Sequence, residues 1–413
     1  MATHDMSDAL STARSRHTPT PAVASSERYT RPIAAAQESG LPIIDISAFL
    51  DGHSTQPCRT ATAQAINAAC VNYGFFYLTG HGIPTSTLDQ VIDLARAFFA
   101  RPLEEKNRMK RFDAGGPEGG DGARGYQGLG ENVTGGLQDL QEAIDFYRPW
   151  GGEEEEEEEE GDAGRVRKTL QGPNLWPEEP KQLRGVYEEY ITSVTEVGRA
   201  LVRAMGVALE LGSADHHGHA DADGDAEKED EDVFARHCND SFWVMRMINY
   251  PPLPPSARPT TDDNDDNDDN DDPSQFSCGA HTDYGCVTLL LTDPTPGALQ
   301  VQLKDGTWLP ADPLPGAFVV NIGDMIERWT NGLWKSTMHR VLHRGGGEAH
   351  GRGGGGRVSV PFFFEPNFDA VVKPLDACVR RSGRPSMHEG STYGEHLLTK
   401  VFSNFYYSKR TDW

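Results

Sequence analysis

The chain has 413 residues, with 63 Asp and Glu against 38 Lys and Arg, and a formal net charge of −25. It has no basic stripe and no apolar run approaching the roughly 20 residues that cross a bilayer, so we expect neither nucleic-acid binding nor membrane insertion. The six Cys residues form no Cys-x-x-Cys pair. This spacing argues against a disulfide framework or a structural zinc site, and it predicts a reducing, cytoplasmic setting.

The negative charge is concentrated in three runs. Residues 153–160, 221–232 and 262–272 carry −8, −7 and −8, which leaves about −2 for the rest of the chain. Runs of like charge repel one another and bury nothing, so we predict solvated surface insertions. The run at 262–272 lacks the Gly and the closing Glu of a calcium-binding loop, and we do not predict calcium binding there.

The N-terminal half is predicted to mix strands and helices. Residues 1–40 are interpreted as a disordered tail, with organellar targeting by this segment left open. Apolar residues at helical spacing predict helices further along, and short β-preferring runs predict strands. The expected elements are a strand from Leu41, a helix over 58–73, a strand from Gly74, and helices over 86–111 and 181–212.

The sequence pattern changes near residue 241, from apolar residues at helical spacing to short β-preferring segments. A strand-like run ends at Tyr250, before Pro251, and several short β-like segments follow with turn signals between them. These segments cover 286–292, 298–303, 317–322 and 358–364. The fold class expected from this pattern is mainly β with flanking helices, in which a C-terminal sandwich or barrel is wrapped by an α/β N-terminal part.

One His-x-Asp pair, His281-Thr-Asp283, stands out among the fourteen His residues. Residues i and i+2 of a strand point to the same side, so the two side chains are expected to face one metal ion. The pair is weak evidence alone, because a structural His beside a satisfied Asp is common. His339 lies on a later β-like stretch, and two His with one carboxylate leave open positions on iron(II).

A second pair, Arg357-Val-Ser359, repeats the i, i+2 spacing. An Arg fork suits two-point binding of a carboxylate, and a dicarboxylate that chelates the metal with one end needs such an anchor for the other. Tyr250 offers a further hydroxyl donor. Arg352, inside the Gly-rich segment 344–356, competes as the anchor, but we favour Arg357 because a strand continues from it.

These features resemble the isopenicillin N synthase-like family of 2-oxoglutarate- and iron-dependent oxygenases over most of residues 41–375. The resemblance includes the following segments: Ile43-Ile-Asp-Ile, Tyr73-Gly-Phe-Phe-Tyr, Gly80-His-Gly-Ile, Arg124-Gly-Tyr-Gln, His281-Thr-Asp-Tyr-Gly, Asn321-Ile-Gly-Asp, and Asn331-Gly with Ser336. The acidic runs and the long 344–356 segment depart from the family pattern.

The resemblance implies a double-stranded β-helix, or jelly-roll, core. By resemblance, iron(II) is held by His281, Asp283 and His339, and Arg357, Ser359 and Tyr250 bind 2-oxoglutarate. It also implies O2 as co-substrate, a small organic substrate that is hydroxylated or desaturated, and release of succinate and CO2. No catalytic residue is expected beyond the metal centre, and we expect a monomer.

The expected organisation has five parts. They are a tail (1–40), an N-terminal oxygenase segment (41–150), acidic insertions with a long helix (151–240), the jelly-roll core (241–367) and a C-terminal tail or helix (368–413).

Three other functions stay open at this stage. The first is an iron oxidase of the same fold that does not use 2-oxoglutarate. The second is zinc hydrolysis on the same His/Asp/His set, against which no general base is evident near the triad. The third is a non-catalytic binding module, which would have little reason to keep all three ligands.

Overall fold

The computed structural model describes the chain over residues 40–112, 120–134, 137–149, 170–211, 230–252, 276–343 and 356–408. The acidic runs at 153–160 and 262–272, the first part of the run at 221–232, and Arg352 lie outside these ranges. Asp230, near the end of the second run, pairs with Arg236 at 2.6 Å at the start of a short helix.

The strands, in chain order, are β1 (Ile43–Asp45), β2 (Phe75–Thr79), β3 (Gly125–Gln127), β4 (Val133–Thr134), β5 (Leu137–Gln138), β6 (Glu142–Tyr147), β7 (Val244–Tyr250), β8 (Phe276–His281), β9 (Val287–Thr292), β10 (Leu299–Gln302), β11 (Trp308–Pro310), β12 (Phe318–Ile322), β13 (His339–Leu342), β14 (Arg357–Phe364), β15 (Val371–Val372) and β16 (Ser391–Thr392). The α-helices are α1 (Gln56–Asn72), α2 (Thr85–Phe99), α3 (Leu103–Asn107), α4 (Leu183–Ala208), α5 (Val233–His237), α6 (Asp324–Trp329), α7 (Asp376–Ser382) and α8 (Tyr393–Ser408).

Two sheets form the core. The larger has eight strands in the order β1-β2-β12-β9-β14-β7-β6-β3, and the smaller has four in the order β11-β10-β13-β8. The neighbouring strands of the two sheets pair antiparallel, apart from the parallel pair β1 and β2. The sheets share one apolar interior, and the expected jelly-roll core is confirmed.

The eight-stranded sheet is covered on both faces, which explains its apolar sequences. In β2, Phe75 and Tyr77 point into the interior between the sheets, whereas Phe76 and Leu78 join a second core beneath the helices. Successive side chains of a strand point to opposite faces, so an uninterrupted apolar run serves both cores. The site described below lies on the interior face.

The long helix α4 closes the outer core. The helical spacing predicts a buried stripe of Val186, Tyr190, Val194, Val197, Leu201 and Met205. The last five are at most 1% exposed, whereas Val186 is half-buried. The predicted helix over 86–111 is wrong beyond Phe99. The backbone breaks before Pro102, the N-cap residue of α3, because proline disfavours the helical conformation of the residue before it.

Within the described residues, no helix combines the length and the hydropathy that a membrane crossing requires.

Candidate active site

Three side chains from two strands and a loop converge in the interior. His281 is the last residue of β8, His339 is the first of β13, and the two lie opposite each other in the β8–β13 pair. The Oδ1 atom of Asp283 lies 3.8 Å from Nε2 of His281 and 3.7 Å from Nε2 of His339. Among the described residues, this is the one cluster of at least three His, Cys, Asp or Glu side chains whose ligand atoms lie within 4.8 Å of one another.

Asp283 reaches this cluster differently from the sequence-based expectation. We expected His281 and Asp283 to be two positions of one strand, but β8 ends at His281 and Asp283 belongs to the loop before β9. That loop is fixed by the chain that follows β12, because the N–H of Asp324 donates to the Asp283 carbonyl at 2.8 Å. Loop geometry, and not strand alternation, therefore brings the carboxylate to the two rings.

Hydrogen bonds orient the donor atoms of all three residues. Nδ1 of His281 lies 2.7 Å from the Gly279 carbonyl, and Nδ1 of His339 lies 3.1 Å from the Thr337 carbonyl. A carbonyl only accepts, so each Nδ1 carries a proton, and in the neutral ring the lone pair is on Nε2. This is the tautomer that a metal ligand requires.

The two oxygens of the Asp283 carboxylate also have different roles. Its Oδ2 accepts a hydrogen bond from Nδ2 of Asn321 at 2.7 Å and another from the Thr288 hydroxyl. Oδ1 is left facing the two Nε2 atoms. The three inward atoms thus form a set of two nitrogens and one oxygen, which is the donor set of non-haem iron(II) sites.

The electrostatics of the cluster favour a bound cation. Burial opposes ionisation of Asp283, but His339 and His281 bring its pKa below the usual range, so the carboxylate is charged. Burial and the neighbouring His281 lower the pKa of His339 to about 4. Burial also works against a charge on His281, yet Cys278 and Asp283 raise its pKa to about 10. The charged carboxylate of Asp283 supplies the negative charge that favours a bound cation.

The second predicted set, Arg357, Ser359 and Tyr250, lies on the interior face of the larger sheet. Arg357 is directly opposite Tyr250 in the β14–β7 pair, and Ser359 is two residues further along the same face. All three are buried. Burial raises the pKa of the Tyr250 hydroxyl, while Arg357 and a hydrogen bond with Ser359 oppose that shift.

The Arg357 guanidinium is incompletely paired. Its Nε and Nη1 are buried and have no hydrogen-bond partner among the described residues. Buried charged donors without partners are strongly unfavourable, so the arrangement fits a carboxylate at this point. Cys278 has its Sγ 3.7 Å from Nδ1 of His281 and raises the pKa of Tyr250, so it is next to the triad and within electrostatic reach of the second set.

The start of β14 is held by an ion pair between the buried Asp293 and the partly exposed Arg96. The carboxylate of Asp293 accepts the N–H of Val358 at 2.9 Å and pairs with Arg96. Arg96 in turn donates from Nη1 to the Gly356 carbonyl at 3.0 Å. Both residues that flank Arg357 are thus tied to the same pair, which fixes where the guanidinium enters the interior.

The sequence analysis missed the residues that orient the ligands. Asn321 was noted only as part of a family motif, and Thr288 was not noted. A signal existed for Asn321, since it is polar in the otherwise apolar run Phe318-Val-Val-Asn-Ile. Nothing local marks Thr288. Asp324 and Glu327 lie outside the triad, and Glu327 pairs with Lys335 at 2.7 Å.

Comparison with known families supports the chemistry that this geometry indicates. The family model described as non-haem dioxygenase in morphine synthesis N-terminal matches residues 41–179. The model of the 2OG-Fe(II) oxygenase superfamily matches residues 242–366, the segment that carries all six predicted site residues.

Curated relatives and solved structures cover nearly the whole chain. Homoarginine-6-hydroxylase 2-ODD-C23.1 of Arabidopsis thaliana is 38% identical over 381 residues, which is 90% of this chain and 99% of that protein. Homoarginine-6-hydroxylase 2-ODD-C23 of Glycine max is 38% identical over 376 residues, with the same coverage. The crystal structure of a 2OG-Fe(II) oxygenase family protein from Caulobacter crescentus has a TM-score of 0.63 at 28% identity, and covers 88% of this chain and 98% of its own.

The donor set of the triad, the unpaired Arg357 and these matches agree. The chain belongs to the 2OG-Fe(II) oxygenase superfamily, and it is a dioxygenase that uses iron(II), 2-oxoglutarate and O2 to oxidise a small organic molecule.

Proposed function

We propose that His281, Asp283 and His339 hold the iron, and that Arg357, with Ser359 and Tyr250, binds the distal carboxylate of 2-oxoglutarate. The observation that carries this proposal is the convergence of two Nε2 atoms on one carboxylate oxygen, with the outward atoms of all three residues hydrogen-bonded. The unpaired Nε and Nη1 of Arg357 support the second half.

The residues of the chain then have separate tasks. Iron and 2-oxoglutarate together supply the O2 activation that oxidises a C–H bond while succinate and CO2 are released. The Gly279 and Thr337 carbonyls accept from Nδ1 of the two rings and so turn each Nε2 inward, and Asn321 and Thr288 keep Oδ1 of Asp283 turned inward. Arg357 selects a dicarboxylate, because a monocarboxylate would leave its buried charge unpaired.

We further propose that the substrate is a cationic α-amino acid, with homoarginine as the first candidate, and that the reaction is hydroxylation. Four relatives named as homoarginine-6-hydroxylases are 36 to 38% identical over 88 to 90% of this chain. A buried carboxylate near the triad, Asp139, gives the interior an acidic side chain of the kind that a cationic substrate requires. Asp139 accepts the N–H of Gly279, the residue whose carbonyl orients His281.

Product analysis tests the substrate. The full chain, with iron(II), 2-oxoglutarate and air, would be incubated separately with homoarginine, arginine, lysine and a neutral amino acid. Mass spectrometry of the products and assay of succinate should reveal a product one oxygen atom heavier, or its breakdown products, with homoarginine. If succinate release is stimulated only by the neutral amino acid, the cationic substrate is wrong.

Finer assignments follow from the motifs. We infer that the chain is an isopenicillin N synthase-like member of the superfamily, on the order and flanks of its site residues. We also infer a reducing, cytoplasmic setting, because all six Cys residues are free. We further propose that the protein is a monomer. Gel filtration with light scattering and imaging of a tagged full chain test the last two.

A further inference from the structure

A polar cluster of two buried residues and one half-buried residue lies beside the proposed 2-oxoglutarate anchor. It consists of Arg246 on β7, Asp145 on β6 and Gln127 on β3, which are neighbouring strands at one end of the larger sheet. Asp145 lies directly opposite Arg246 in the β6–β7 pair, and Gln127 lies opposite Ala143, two residues before Asp145. Residues opposite each other, or two apart along a strand, share a face, so all three side chains point to one side of the sheet.

That side is the interior in which the site lies. Arg246 is four residues before Tyr250 on β7, so the two share a face. Ala143 and Ile248, opposite each other on the same face, belong to the apolar interior between the sheets. The charge of Arg246 acts on the pKa of Tyr250 and of Asp139, and the charge of His281 also acts on the pKa of Asp139. The cluster thus lies within electrostatic reach of Tyr250 and of Asp139, a carboxylate that the charge of His281 also reaches.

The contacts within the cluster are incomplete. Asp145 accepts from Nε of Arg246 at 2.6 Å and from Nε2 of Gln127 at 2.5 Å. Nη2 of Arg246 and Oε1 of Gln127 are buried without a hydrogen-bond partner among the described residues. The carboxylate of Asp145 therefore holds two side chains next to each other, and each has an unpaired atom: the donor Nη2 of Arg246 and the acceptor Oε1 of Gln127.

A purely structural ion pair would not require this arrangement. The Nε contact already pairs the charges of Arg246 and Asp145 but leaves Nη2 without a partner, and an apolar residue in place of Gln127 would leave no orphan acceptor. Buried polar atoms without partners are unfavourable, and they mark positions where a ligand completes the hydrogen bonds. Gln127 is 1% exposed, so bulk water does not satisfy its Oε1.

The complementary ligand has an anionic acceptor next to a cationic donor. We propose that Arg246, Asp145 and Gln127 bind the α-amino-acid head group of the substrate: its carboxylate accepts from Nη2 of Arg246, and its ammonium donates to Oε1 of Gln127 and to Asp145. This inference rests on the proposed function, because it requires an amino-acid substrate. It adds the residues that recognise the head group, and it leaves the cationic tail to contact Asp139.

A binding experiment tests the proposal without turnover. The full chain is loaded with Mn(II) and 2-oxoglutarate in the absence of O2, and it is titrated calorimetrically with three ligands. These are homoarginine, its analogue without the α-carboxylate and its analogue without the α-amino group. We expect homoarginine to bind about 100-fold more tightly than either analogue, since each analogue leaves a buried group unpaired.

Two substitutions assign the partners. Arg246→Lys keeps a positive charge beside Asp145 but lacks the Nη2 donor that contacts the substrate carboxylate. Affinity for homoarginine should therefore fall about 10- to 100-fold, while affinity for the analogue without the carboxylate is unchanged. Gln127→Met removes the acceptor for the substrate ammonium. It should lower affinity for homoarginine by a similar factor and leave affinity for the analogue without the α-amino group unchanged. Arg184→Lys, on the exposed surface of α4, is the matched control and should change neither affinity. Melting curves and 2-oxoglutarate affinity verify that the variants are folded and keep the anchor.

The outcomes separate the two proposals. If the three ligands bind equally well to the unsubstituted protein, the head-group assignment is overturned while a cationic substrate stands. If homoarginine does not bind but another α-amino acid does, and that binding falls in Arg246→Lys, the cluster is confirmed and the proposed substrate is wrong. If a neutral cyclic amide such as a pyrimidine base binds best, and its binding falls in both variants, the amino-acid head group is wrong.

Discussion

Arg357 lies opposite Tyr250 in the β14–β7 pair, and its guanidinium carbon is 5.0 Å from the centroid of the Tyr250 ring. The aromatic face stabilises the cation on one side and the ring position restricts its orientation. The two unpaired nitrogens, Nε and Nη1, are then the atoms left for a ligand. A lysine at this position would keep the charge but would lose the planar two-point contact.

Substitution of Arg357 should weaken 2-oxoglutarate binding specifically. In Arg357→Gln, the KM for 2-oxoglutarate should rise about 100- to 1,000-fold, because one partner of a buried charge pair is lost, and Arg357→Lys should be intermediate. Steady-state assays of succinate release over a range of 2-oxoglutarate concentrations measure this change.

Arg352 is the control for that experiment, because it was the competing anchor in the sequence. Arg352→Gln should leave the KM for 2-oxoglutarate unchanged. A large rise in Arg352→Gln together with a normal KM in Arg357→Gln would transfer the anchor to Arg352.

Loss of a triad ligand should abolish metal binding. In His339→Ala and in Asp283→Ala, iron(II) bound per chain after anaerobic gel filtration should fall from about one to near zero, because a site with two ligands holds the ion poorly. His53→Ala, which removes an exposed histidine, should retain full occupancy. Undiminished O2- and 2-oxoglutarate-dependent activity in His339→Ala would refute the site.

Asn321 should contribute to metal affinity without contacting the metal. It is 3% exposed and donates to the oxygen of Asp283 that faces away from the histidines. Removing such an orienting hydrogen bond weakens metal binding about 10- to 100-fold, so Asn321→Ala should have a higher Kd for iron(II) by that factor. The exposed substitution Asn239→Ala should not change the Kd, and an equal Kd in Asn321→Ala would mean that Thr288 alone orients the carboxylate.

Glu365 should make stability depend on pH. Burial raises the pKa of this carboxyl from 4.5 to about 8, against a hydrogen bond from the N–H of Cys286. Between these values the folded state keeps a proton that the unfolded state has lost. The associated stability is therefore fully present below pH 4.5 and is lost as the pH rises through about 8.

In Glu365→Gln this contribution is absent at every pH, since the amide does not titrate. The free energy of unfolding of the unsubstituted protein, relative to the variant, should fall by about 1 kcal/mol per pH unit between these two values. Urea unfolding at a series of pH values measures it. A difference that stays constant with pH would indicate that Glu365 has an ordinary pKa in the folded protein.

Two glycines of α4 should respond oppositely to alanine. A Cβ at Gly198 would lie 2.5 Å from ring carbons of Phe364, whereas a Cβ at Gly185 would have nothing within 4 Å. Overpacking should therefore destabilise Gly198→Ala by about 1 to 3 kcal/mol, and helix propensity should stabilise Gly185→Ala by up to about 1 kcal/mol. Thermal melting of both variants checks the signs, and a stabilised Gly198→Ala would mean that α4 packs differently on β14.

Much of the architecture could be predicted from local pattern. The strands of the C-terminal half and the stripe of α4 follow from apolar spacing, because period and burial are properties of contiguous residues. The break at Pro102 was predictable as well, but the apolar period up to Phe99 was extended past it. The six site residues could be named because they lie in short motifs, and their roles as ligands and anchor remain predictions.

Contacts between distant segments could not be predicted in this way. Asp145 and Arg246 are 101 residues apart and meet only because β6 pairs with β7 in one register. Asp283 reaches the histidines through a loop held by Asp324, which no spacing rule describes. Orientation of ligands and recognition of substrate depend on such contacts, so the structure adds most at these positions.

The most direct test of the central claim is the ratio of succinate formed to O2 consumed by the full chain with iron(II), 2-oxoglutarate and homoarginine. The triad and the Arg357 anchor together predict equimolar succinate and O2, and loss of both in Asp283→Ala. Consumption of O2 with the substrate but without succinate would contradict this account, and would indicate an oxidase in which Arg357 and Ser359 bind the substrate's own carboxylate.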